Sequence, residues 1–154
     1  MQTKKIYIGQ DLTQQDWDFG LGSVYLAGPR NISGESWRVN VINRLEKSGS
    51  NLCILIPETK TELKTRGYPS TNFEWQKVAM SVASCILFWY PSGVQDAQGF
   101  AEFGAWHKSE RVFMGRENSK GNEYLDWIWH QQQKLYPAES IDQLVEMVLH
   151  WIRE

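Results

Sequence analysis

Ala83-Ser84-Cys85-Ile86-Leu87-Phe88-Trp89-Tyr90-Pro91, followed after a Gly- and Gln-containing loop by Ala101-Glu102-Phe103-Gly104-Ala105-Trp106, decides the fold class of this chain. Cys85–Tyr90 is an unbroken apolar run of strand-forming residues, the pattern of a strand covered on both faces. Pro91-Ser92-Gly93 stops it. Apolar residues then recur at helical spacing as Phe100, Phe103 and Trp106, which predicts a helix from Phe100 with Glu102 in its first turn. Open α/β folds place their chemistry at a helix start just past the carboxyl end of a central strand. The helix dipole at that position favours an ionised carboxylate, which acts as a nucleophile or an electrostatic clamp. A first-turn glutamate also has a purely structural reading, because it suits any helix N-terminus.

Working outward, strand and helix patterns alternate. Residues 4–9 read as a short edge strand, and 10–22 as a polar loop. Residues 23–29 and 52–58 read as core strands, and 111–115 as a further one. A helix begins within 32–38, with Ser33 as N-cap and Trp37, Val41, Ile42 and Leu45 as its apolar face. Residues 60–70 are polar and predict a loop over the site. Residues 72–84 predict a helix with Trp75, Val78, Ala79 and Val82 inward, and 122–133 and 140–153 predict the last two helices. This alternation implies one α/β domain, a parallel sheet with helices on both faces. Gly28-Pro29-Arg30, Pro57-Glu58, Tyr90-Pro91 and Gly115-Arg116 then share one rim, to which its helix delivers Glu102.

Composition narrows the function classes. The chain has 154 residues, enough for one domain with a real core. Its net charge of -2 provides no cationic excess for a nucleic-acid polymer. No apolar run approaches the ~20 residues that span a bilayer, and the N-terminal apolar stretch is too short for a signal peptide. Cys53 and Cys85 lie in apolar strand-like runs and read as buried thiols, which points to a reducing cytoplasm. No cysteine or histidine pair has metal-ligand spacing, so no metal is expected. The 8 tryptophans are the compositional oddity; most serve packing, and one or two near the site suit a flat ligand such as a nucleobase.

Several phrases in fixed order go further: Tyr25-Leu26-Ala27-Gly28-Pro29, Ser36-Trp37-Arg38, Pro57-Glu58, Glu74-Trp75, Phe88-Trp89, Glu102-Phe103-Gly104 with Trp106, Gly115-Arg116 and Tyr124-Leu125-Asp126-Trp127. Together they resemble the nucleoside 2-deoxyribosyltransferase-like family over roughly residues 23–130. The resemblance implies a flavodoxin-like (Rossmann-like) sheet and cleavage of the N-glycosidic bond of a nucleoside or its 5′-monophosphate, without a cofactor. It implies that Glu102 attacks the anomeric carbon and holds the sugar as an ester, later passed to another base or to water. It further implies a homo-oligomer with active sites completed by a neighbouring subunit. Under it, Gly28 and Pro29 line the sugar or 5′ end, and Glu74 assists the departing base.

The chain departs from the family pattern in two places. Ser84 stands where the family has an aspartate, and Gln98-Gly99-Phe100-Ala101 replaces a more polar loop. Other residues have two readings each. Glu74 is a catalytic acid or a solvated first-turn residue. Arg30 holds a 5′-phosphate through charge-assisted bonds or is solvated. Trp89 is a platform for the base or part of the core, and Tyr25 touches the ligand or only packs. Ser84, Gln98 and Gly99 complete the expected ligand-contacting set. Two alternatives stand beside the transferase or glycosidase reading: a non-catalytic nucleotide-sensing module of the same fold, and an NAD-cleaving glycohydrolase.

Overall fold

Cys85–Tyr90 is strand β4, and all its residues are buried. In the computed structural model, which describes residues 3–12, 22–65, 72–94, 96–133 and 135–153, it lies inside one five-stranded sheet. Its companions are β1 (Lys4–Tyr7), β2 (Gly22–Ala27), β3 (Leu52–Ile56) and β5 (Val112–Arg116). The order is β1-β3-β2-β4-β5, and every neighbouring pair is parallel. Strands β3-β2-β4-β5 follow the flavodoxin-like order, and β1 extends the β3 edge. At the other edge, Ala138 makes an isolated parallel bridge to Gly115.

Alternate strand residues feed two apolar layers. Leu26, Ile54, Leu87 and Trp89 pack with helices α1 (Trp37–Lys47) and α6 (Ile141–Arg153). Tyr25, Leu55, Phe88 and Tyr90 pack with α3 (Phe73–Val82), α4 (Ala97–Trp106) and α5 (Glu123–Gln133). Both faces of the central strands are thus covered, which is why their sequences are continuous apolar runs rather than alternating ones. Cys53 and Cys85 are buried and form no disulfide. Among the described residues, no helix is long and apolar enough to cross a membrane.

Four local expectations need correction. Helix α1 is capped by Ser36, not Ser33. The Asn31 side chain fastens the preceding turn: its amide donates to the carbonyls of Ser33 and Glu35, and its oxygen accepts from the Trp37 N–H at 2.8 Å. The expected loop of residues 60–70 instead opens with a short helix, α2 (Lys60–Lys64); residues 66–70 lie outside the described residues. Thr59 and Glu62 form a reciprocal capping box there, a signal present in the sequence as Thr-Lys-Thr-Glu. Helix α3 turns Trp75, Gln76, Ala79 and Met80 inward, while Val78 and Val82 are exposed. The most consequential correction concerns α4. It starts at Ala97 behind the N-cap Asp96, whose carboxylate accepts from the Gln98 N–H at 3.0 Å. Residues 98–101 are therefore helix rather than loop, and Glu102 lies in the second turn, away from the helix N-terminus.

Candidate active site

Strand β2 has β3 on one side and β4 on the other, so the chain reverses direction across the sheet at this point. A crevice opens beyond the carboxyl ends of strands at such a reversal. Here it is a cleft whose floor is Tyr25 and Ala27 of β2 and whose walls come from the Gly28-Pro29-Arg30 turn, Glu58 and α4. Of the expected ligand-contacting residues, Tyr25, Gly28, Pro29, Arg30, Gln98, Gly99 and Glu102 line this one cleft.

The turn after β2 depends on Gly28. Its φ of 111° lies in the left-handed region, and a Cβ there would sit 2.1 Å from the Trp89 carbonyl oxygen. Gly28→Ala is expected to cost about 2–3 kcal/mol in urea unfolding, since both backbone strain and a backbone clash must be relieved. Gly99 serves a similar end: a Cβ there would lie 3.0 Å from Pro29 Cδ, so glycine lets the first turn of α4 close on the turn. The Tyr90 hydroxyl fixes that contact by donating to the Gly99 carbonyl at 2.9 Å.

Beneath the turn lies a buried ionic cluster. Glu58 and Arg38 are 5% and 4% exposed, low enough that each charge depends on protein partners rather than water. Arg38 Nη1 donates to Glu58 Oε1 at 2.6 Å, and its other nitrogens donate to the Leu26 and Gly28 carbonyls. The Ser36 hydroxyl also donates to Glu58 Oε1, at 2.6 Å, and Arg30 Nε donates to Oε2 at 3.1 Å. Arg30 spends its remaining donors on the carbonyls of Asn31, Gly34, Glu62 and Thr65. Its guanidinium therefore braces the loops around the cleft.

Glu102 is half-buried and faces into the cleft. Burial pushes its pKa above the ordinary 4.5; the Gln98 hydrogen bond and the Arg38 charge oppose that rise, and Asp96 adds to it. The expected helix-dipole stabilisation is absent because Glu102 is not in the first turn. The phenols of Tyr25 and Tyr90 are pushed well above their ordinary value, first by burial and then by the Glu102 carboxylate. Both stay protonated at neutral pH, and Tyr25 presents a neutral phenol to the cleft.

Three expected site residues lie elsewhere. Glu74 is exposed in the first turn of α3 and is not part of the cleft lining; Gln76, one half-turn further along, is. Ser84 precedes β4 at the amino edge of the sheet, where its hydroxyl and N–H bond to Ser23. The length of β4 separates it from the carboxyl rim, roughly 20 Å at the usual strand rise. Trp89 is buried on the opposite face of the sheet, against α1 and α6. Sequence reasoning in turn missed Arg38, Gln76 and Asp96 as lining residues. Asp96 had a legible signal, an Asp directly before a helix-compatible stretch. Arg38 stood only within the Ser36-Trp37-Arg38 phrase, and Gln76 had no signal, because an inward polar side chain interrupts the apolar stripe instead of extending it. The chain matches no protein-family profile and no curated protein.

Proposed function

We propose that this protein cleaves or transfers the N-glycosidic bond of a nucleoside or nucleoside 5′-monophosphate, with Glu102 as nucleophile. The observation that carries this reading is a half-buried carboxylate facing the cleft at the strand reversal, beside a tight Gly28-Pro29 turn and a protonated phenol. An ionised Glu102 attacks the anomeric carbon; the C–N bond breaks as the new C–O bond forms, and its electron pair leaves with the base. Water or a second base then attacks the glycosyl ester and restores the carboxylate. Tyr25 supplies a neutral donor for an oxygen or nitrogen of the substrate, and Asp96 is a second carboxylate within the same cleft. Desolvation of Glu102 favours attack by removing water from the nucleophile, and the same desolvation raises its pKa.

The test is incubation with a panel of deoxynucleosides, ribonucleosides, their 5′-monophosphates and NAD, with chromatography of released base and mass spectrometry of the quenched protein. A glycosyl adduct on the peptide carrying Glu102 is expected. Base release from NAD alone moves the assignment to a glycohydrolase. Binding of a nucleotide without turnover moves it to a sensing module. Because the reaction needs the ionised carboxylate, kcat/KM should rise with pH along an acid limb placed above the ordinary 4.5, a direction set by burial. An acid limb at or below that value would contradict the assignment.

The working assembly in this reading is a cytoplasmic homo-oligomer. Trp127 and its stacked neighbour Tyr124 are 59% and 70% exposed, an unusual degree of aromatic exposure that suits an interface. Trp129 cannot take part, since it is buried. Light scattering at micromolar concentration should give a mass of at least a dimer, and Trp127→Glu should lower it to that of a monomer.

A further inference from the structure

Gln98 and Glu102 are one turn apart on α4 and therefore share a face. Gln98 Nε2 donates to Glu102 Oε2 at 3.4 Å and also to Gln76 Oε1. Gln76 reaches the cleft from α3 and is buried. One amide nitrogen thus serves two acceptors with its two hydrogens. The reverse amide orientation would set the Gln98 carbonyl against the Gln76 carbonyl and the Glu102 carboxylate, two acceptors that repel it. The Gln76 carbonyl and the Glu102 carboxylate therefore both favour the amide end of Gln98 at this position.

We propose that Gln76 and Gln98 form a positioning clamp that orients the Glu102 carboxylate and supports its charged form, Gln76 acting through Gln98. The inference deepens the assignment of Glu102 as the reacting carboxylate and rests on it for its catalytic meaning. Its physical content stands on the side chains alone.

The surroundings leave this role open to a neutral donor. Arg38 of α1 attracts the carboxylate, yet three of its nitrogens already donate to Glu58, Leu26 and Gly28. Asp96, at the start of the same helix, repels it. Glu58 and Glu62 also line the cleft, and Arg30 is held by Glu58 and loop carbonyls. The Tyr25 and Tyr90 phenols remain neutral. The Gln98 side chain donates directly to Glu102.

The experiment is a pH titration of carboxyl carbon signals in full-length protein labelled with 13C-glutamate, with the Glu102 resonance assigned by its loss in Glu102→Gln. Gln98→Ala should shift the Glu102 titration to higher pH, as should Gln76→Ala. The double variant should shift it no further than Gln98→Ala alone, because Gln76 acts through Gln98. If Gln98→Ala loosens the helix, Gln98→Met keeps the side-chain length, removes the donor and should give the same shift. An unmoved Glu102 titration in a folded Gln98 variant, or full additivity of the two substitutions, overturns the clamp. No substrate is needed for this readout, so it is separable from the proposed reaction. If the wild type turns over, the acid limb of kcat/KM should move with the NMR titration. If the NMR shift occurs and no substrate is turned over, the clamp stands and the catalytic assignment falls.

Discussion

Replacing Glu102 by glutamine is expected to slow base release at least about a thousandfold, roughly 4 kcal/mol of transition-state stabilisation, while the fold is retained. Glutamine has the same shape and keeps a hydrogen-bonding oxygen for Gln98, but an amide oxygen is a poor nucleophile. The same substitution should make the protein more stable at neutral pH. Folding raises the pKa of Glu102, chiefly through burial, so its favourable contribution is complete below the unfolded value and is lost as pH rises through the folded one. At pH 7 the ionised side chain is therefore a cost that glutamine removes. The stability gain should vanish at pH values below the ordinary 4.5, where wild-type Glu102 is neutral too. Urea unfolding at pH 7 and at pH 4 measures this directly. A variant that is less stable at pH 7 would count against the burial cost assigned to this carboxylate, and one that releases base as fast as the wild type would count against its role.

The second large effect is expected at the buried cluster under the cleft. Glu58→Gln leaves Arg38 buried without its opposite charge, and loss of one partner of such a pair typically costs about 3–5 kcal/mol. Arg38→Met removes one of the two cationic partners of Glu58 and should cost less, because Arg30 and the Ser36 hydroxyl still bond the carboxylate. The cluster also ties β2 to the turn that lines the cleft, because Arg38 donates to the carbonyls of Leu26 and Gly28. Either substitution should therefore lower the urea midpoint and loosen the cleft together. Arg38→Met combined with Glu58→Leu should cost less than the sum of the two single changes, since Arg38 and Glu58 no longer strand each other and Arg30 keeps its backbone carbonyl partners. Strict additivity would mean that the pair does not act as a unit.

The fold was legible because its signals are local. The continuous apolar runs of β3 and β4, the stops at Pro57 and Pro91, and the stripe of Leu144, Val145, Val148 and Leu149 on α6 each report a short stretch of chain and what covers it. Alternation of strand and helix then leaves a parallel sheet as the economical arrangement. From the same evidence, Glu102 falls on the helix after the central strand, and the Gly28-Pro29 turn falls on the same rim.

Tertiary structure decided the rest, for reasons that follow from long-range pairing. A strand buried on both sides does not reveal which alternate residues face which helix layer, so Trp89 and Phe88 could not be separated until the sheet was assembled. Ser84 sits at the amino end of a strand by sequence, but its partner Ser23 is fixed only by the parallel pairing of β4 with β2. The Arg38–Glu58 and Gln76–Gln98 pairings were not legible, because their members lie 20 and 22 positions apart, beyond any periodicity. Sequence by itself determined the layers, the rim and the helix that carries Glu102. The charge environment of Glu102 was decided only by folding, because it is the sum of groups brought together from α1, α3 and α4 at the cleft.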